Sequence, residues 1–177
     1  MVVFGGGEPQ PTAAEHTVVA GQPFKLANNG TSIILLGATG QVLDSLIYDS
    51  EAAGSHSFAR VPDTVGEWSL HPESGKQRKV VHSAGLCSNF APFPACQIER
   101  YDDDPLMDEK PCPLARAGEL VINEVLADPG GIDANQDGEL VWQHDEFVEM
   151  LLLADGSRST KGLTLTVNGK PRIALPD

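Results

Sequence analysis

Glycine and proline interrupt this chain so often that no long helix fits between them: eighteen Gly and thirteen Pro fall among 177 residues. Glycine frees the backbone to turn and proline removes an amide donor, so punctuation this dense favours many short strands. The runs between the breakers have strand character. Val2-Val3-Phe4 stops at Gly5-Gly6-Gly7, Thr17 to Ala20 stops at Gly21, and Phe24-Lys25-Leu26 stops at Asn28-Asn29-Gly30. Thr31 to Leu36 leads through Gly37-Ala38-Thr39-Gly40 into Gln41 to Tyr48, which predicts an antiparallel hairpin with a bulge at Asp44-Ser45. Residues 49–80 read as loop around a short Trp68-Ser69-Leu70 element, with Trp68 and Arg60 as expected anchors.

Strand signals resume at Leu120 to Leu126 and continue at Glu146 to Leu153, Gly162 to Val167 and Arg172 to Leu175. Residues 145–153 also fit a helical run, but Gly156 and the β-rich neighbours argue for strand. About nine short strands at close spacing predict an all-β, immunoglobulin-like antiparallel β-sandwich. Hydrophobic residues at 41% are enough for a packed core.

Charge and apolar length narrow the function classes. A formal net charge of -13 opposes nucleic-acid backbones and anionic lipid, and suits divalent cations, basic partners and high solubility. The most apolar runs, Ile33 to Leu36 and Met150 to Leu153, fall far short of the roughly 20 residues a spanning helix needs, so no membrane insertion is expected. Met1 leads into Val2-Val3-Phe4 without a basic segment, so the chain reads as a piece of a longer protein with any export signal elsewhere. Cys87 and Cys96 bracket a short loop and could close a disulfide, which implies an oxidising compartment and leaves Cys112 unpaired unless it takes one of the other two; three free thiols are the alternative. No CxxC or close His pair supports zinc.

Two stretches carry a resemblance. Val121-Ile122-Asn123-Glu124-Val125-Leu126, the Asp133-Ala134-Asn135-Gln136-Asp137-Gly138 loop, Asp145-Glu146-Phe147-Val148-Glu149-Met150 and Gly162-Leu163-Thr164-Leu165 resemble the first half of a bacterial lamin-tail domain. Val2 to Gly6, Leu26 to Thr31, Gly40 to Asp44 and Ser57 to Asp63 resemble its second half. The halves stand in reversed order. The expected organisation is a C-terminal half at 1–85, a Cys/Pro/acidic linker at 86–118 and an N-terminal half at 119–177, arising from tandem copies cut across or from a permutation. The resemblance implies a non-enzymatic binding or structural module of a secreted, periplasmic or cell-surface bacterial protein, with protein partners or other domains of the parent chain. Each half alone would expose an apolar sheet face, so the two are expected to close on one another within a monomer; a swapped homodimer is the alternative.

Three features invite chemistry. Asp133-x-Asn135-x-Asp137-Gly138-Glu139 has the spacing of a calcium loop, but the position that wants a bidentate acid is His144; Asp145 and Glu146 follow it as substitutes, and Asp128 is a further oxygen donor. The alternative is an Asx-rich turn without metal. Asn123, Glu124 and Glu149 suggest an acid–base pair of a hydrolase fragment; flanking apolar residues argue instead that each glutamate faces solvent or a cross-strand partner, and no catalytic residue is expected. Gly5-Gly6-Gly7 reads as a flexible strand exit rather than a phosphate loop.

Overall fold

The computed structural model describes residues 1–10, 17–49, 56–71, 82–93 and 112–175. Within them lie ten strands: β1 Val2–Phe4, β2 Thr17–Val19, β3 Gly30–Leu36, β4 Val42–Asp49, β5 Phe58–Val61, β6 Glu67–Leu70, β7 Leu120–Leu126, β8 Phe147–Leu152, β9 Thr164–Val167 and β10 Lys170–Ala174. A four-residue helix, α1 (Trp142–Asp145), precedes β8. No described helix is long and apolar enough to cross a membrane.

The strands form a two-layer sandwich, one sheet ordered β2-β1-β8-β7-β5-β6 and the other β10-β9-β3-β4. All pairs are antiparallel except β1–β2. Strands from 1–85 and 119–177 share both sheets within one chain. Val3 pairs with Val148, Phe58 with Val125, and Ile33 with Val167, so ladder hydrogen bonds join the two segments at three seams. Alternation sends Val3, Ile33, Leu35, Ile122, Val125, Val148, Met150, Leu165 and Val167 into the interlayer core.

The six-stranded sheet is covered on its outer face too. Val2, Phe4, Leu126 and Phe147 form a second cluster there with Ala134, against which Ala84 and Ile132 pack. That explains why all seven residues of β7 are buried. Covering both faces of an antiparallel sheet requires a layer beyond the sandwich, and residues 82–93 and 129–145 supply it.

Some local expectations shift. Phe24-Lys25-Leu26 is not a strand: Lys25 turns into the left-handed region at φ 55, which ends extended pairing. The hairpin irregularity lies at Leu43, between the pairs Leu35–Asp44 and Leu36–Val42, rather than at Asp44-Ser45. Gly5 and Gly6 are not a flexible exit. A Cβ on Gly5 would overlap the Gln143 carbonyl and one on Gly6 the His144 ring, so these glycines let the chain pass close against α1.

Arg60 and Trp68 do anchor the edge of the six-stranded sheet. The Arg60 guanidinium donates to the Ile122 carbonyl (3.0 Å) and, more weakly, to that of Gly66 (3.4 Å), and pairs with Asp44 at 3.4 Å. It lies 4.7 Å from the Trp68 ring, which stacks on Phe58. Asp44 also accepts from the Ile122 amide at 2.8 Å, so one carboxylate on β4 ties the two sheets together.

Candidate functional site

The polar centre of the fold is built on a bulge. Ile122 pairs with Met150 and Glu124 with Glu149, leaving Asn123 extra on β7. In a regular strand Asn123 and Glu124 would point to opposite faces; the inserted residue lets both reach the outer face. Glu149 on β8 stands directly across from Glu124. The expectation of a cross-strand partner holds, and that of solvent exposure does not: Glu124 is 0% and Glu149 1% exposed.

Their oxygens are occupied by the strap at 82–93 and by neighbouring side chains. Glu124 accepts from the Ser83 amide (2.8 Å) and hydroxyl (2.6 Å). Glu149 accepts from the Gly85 amide (2.7 Å) and from Asn123 Nδ2 (3.0 Å). Asn123 Nδ2 also donates to Asp63 (3.0 Å), while its Oδ1 accepts from the Thr64 amide (2.8 Å). Asp63 in turn accepts from the Ser88 amide (3.0 Å) and hydroxyl (2.7 Å). Three buried carboxyls thus hold the strap at Ser83, Gly85 and Ser88, and the Asn123 amide bridges two of them.

The electrostatics follow from this crowding. Burial, then the charge of Glu124, pushes the Glu149 carboxyl up to about 8, against the opposing Gly85 and Asn123 donors. Burial lowers the pKa of His82, with His71 adding to the shift and Glu124 opposing it. A carboxyl raised to about 8 facing a second carboxyl has the form of an acid–base pair. They lack access: the strap covers both, and its donors occupy the oxygens a substrate would need.

Asp63 is the member with most donors on it. Asp63→Ala leaves the Ser88 amide, the Ser88 hydroxyl and the Asn123 amide short of an acceptor. It should cost about 3 kcal/mol, read as a lower urea midpoint, because each stranded buried donor costs roughly 1–3 kcal/mol before relaxation. A midpoint unchanged from the parent would mean that the network does not hold the strap.

The predicted calcium residues form a self-capped turn beside β1. Asp133 accepts from the Asp137 amide (3.1 Å) and the Gly138 amide (2.9 Å), and Asp137 accepts from the Glu139 amide (2.8 Å) and the Glu8 amide (3.1 Å). Asn135 donates through Nδ2 to Asp137 (3.0 Å) and accepts through Oδ1 from its amide (3.1 Å). Asp145 is buried under the loop and accepts from the Ala134 amide at 2.8 Å; burial raises its pKa, with the charges of Asp133 and Asp137 adding to the rise. Glu139 is exposed and contributes its backbone amide. Among the described residues no three His, Cys, Asp or Glu side chains converge as a metal group. Cys87 is buried and disulfide-bonded and Cys112 is exposed and free; Cys96 lies outside the described residues.

Glu146, read in the sequence as a strand residue, bridges two further segments. Its side chain accepts from the Leu26 amide (3.2 Å) and its own amide donates to the Trp142 carbonyl (3.2 Å). Burial pushes this carboxyl up to about 8, opposed by the Leu26 and Lys25 amides and by Arg172, with Asp128 reinforcing the rise. The segments it joins face an open groove of about 550 Å³, lined by residues 25–29, Trp142 and Gln143. Asp63, Ser83, Ser88 and Glu146 carry no sequence signal of these roles, since their partners lie 25 to 120 residues away. No family model, no curated protein and no solved structure matches the chain.

Proposed function

We propose that the chain is a non-enzymatic binding or structural β-sandwich module of a larger exported or surface protein, a rearranged relative of the bacterial lamin-tail domain. The observation that carries this reading is the sealed Glu124–Glu149 pair. The most catalytically suggestive groups in the fold are fully covered and engaged by the strap. Their chemistry serves to fasten residues 82–93 to the sheet. The disulfide at Cys87 supports an oxidising compartment.

The competing hydrolase reading makes a different forecast. Incubated with chromogenic glycoside, ester and phosphodiester substrates, the protein should give no turnover above buffer. Turnover that disappears in Glu149→Gln would overturn the module reading.

Calcium binding at Asp133, Asn135, Asp137, Glu139 and Asp145 is the second reading, favoured by the charges of Asp133 and Asp137 beside the buried Asp145. The amide donors on these oxygens already close and neutralise the turn, so a cation would gain only the lone pairs those donors leave. The self-capped turn therefore predicts that about 5 mM calcium moves the melting temperature by less than about 1 °C. A ligand at 100 times its Kd adds about 2.7 kcal/mol, several degrees for a chain this size. A rise of that order would replace the self-capped turn with a calcium site.

A further inference from the structure

The groove between residues 25–29 and α1 has the makings of a ligand site. Trp142 lines it and is 56% exposed, a large aromatic left in water along an open groove of about 550 Å³. That volume lies in the range of small-ligand sites, roughly 300–1,000 Å³. The other lining side chains include three amides, Asn28, Asn29 and Gln143, and one cation, Lys25. Among the described residues none of these four side chains has a hydrogen-bond partner, so their donors and acceptors are available to a ligand. Among the described residues no carboxylate lines the groove, in a chain of net charge -13.

The walls are set in place before any ligand arrives. Glu146 holds one wall through the Leu26 amide and the other through the Trp142 carbonyl. Lys25 sits at φ 55, a conformation a lysine adopts at a cost, and local strain of this kind concentrates at functional positions. Gly5 admits the Gln143 backbone without a clash.

We infer that this groove binds a uronate-bearing oligosaccharide, with a sugar ring on Trp142, hydroxyls on Asn28, Asn29 and Gln143, and the carboxylate on Lys25. A pyranose presents a face of C–H bonds, apolar and slightly positive at its edge, which matches the negative face of an indole. Its hydroxyls both donate and accept, as side-chain amides do. The lysine selects a sugar that carries a carboxylate. The overall negative charge opposes such a ligand only at long range, and at physiological ionic strength the screening length is about 8 Å, so contact with Lys25 outweighs it. The inference rests on the binding-module reading and supplies its ligand class.

Isothermal titration at physiological salt with a galacturonate hexamer and a neutral glucose hexamer tests this. The uronate should bind with Kd on the order of 10⁻⁴ M and the neutral sugar about tenfold more weakly. Trp142→Ala should weaken both at least about tenfold, with the melting temperature held because the side chain is largely exposed. Lys25→Met should remove the difference between the sugars. No binding of either hexamer at about 10 mM, or unchanged affinity in Trp142→Ala, overturns the site; equal affinities in the parent protein overturn the acidic preference. Slow cleavage of a bound hexamer would instead sink the non-enzymatic reading and leave the groove standing.

Discussion

Residues 112–177 expressed alone should show no cooperative unfolding and no near-ultraviolet circular dichroism, and adding residues 1–93 in trans should restore both. The segment carries β7 and β8, the centre of the six-stranded sheet, and β9, an inner strand of the other. Alone it would expose Ile122, Val125, Leu126, Phe147, Val148, Met150, Leu163, Leu165 and Val167, all of which are fully buried in the whole chain. Each such side chain loses roughly 1.5–3 kcal/mol on returning to water, and the sum of about 14–27 kcal/mol matches or exceeds the roughly 5–15 kcal/mol by which a domain is stable. Acceptors would be stranded too: Glu124, Glu149 and Glu146 take donors from Ser83, Gly85 and Leu26. A cooperative melt of the isolated segment would show that the sandwich is two units rather than one.

Alkaline pH should destabilise the protein well before ordinary base denaturation. Glu149 and Glu146 are each held near 8 in the folded chain, against 4.5 for a free glutamate. Between those values the folded chain keeps protons that the unfolded chain has released. Stability therefore falls as pH rises through that window, and the full penalty applies above about 8. His82 acts in the opposite sense lower down. Its pKa is depressed by burial, so the unfolded chain binds the extra proton and stability rises toward pH 6.5. His82 offsets only one of the two glutamate protons, so the net fall begins near pH 4.5 and is steepest between about 6.5 and 8, where His82 no longer opposes it.

One group contributes at most about 1.4 kcal/mol per pH unit, so two contribute about 2–4 kcal/mol across that interval. For a chain of this length the change is on the order of 5–15 °C in melting temperature. Thermal melts from pH 5 to 9 read it directly. Glu146→Gln and Glu149→Gln should each flatten the alkaline limb, whatever their effect on stability at pH 6. A limb of unchanged slope in both variants would mean that these carboxyls are ionised throughout.

The candidate site was far less legible than the strands. Asn123, Glu124 and Glu149 stand out in the sequence as polar residues in apolar strands. Alternation alone sends such residues outward, and the bulge at Asn123 together with the strap makes that outward face an interior. Asp63, Ser83 and Ser88 give no sign of joining them. The aromatic groove escaped sequence reading because its walls, 25–29 and α1, lie more than a hundred residues apart and meet through Glu146.

By itself the sequence determined the all-β class and the position of most strands; β5 lies in the stretch it read as loop. Those follow from local causes: glycine and proline punctuation, β-branched runs and the period-two burial of side chains. Only the tertiary structure decided where the polar groups went. Whether a carboxyl meets water or a backbone amide depends on which loop crosses it. Here residues 82–93 cross the Glu124–Glu149 pair and turn two acids that alternation would send to the surface into a buried clamp on the strap.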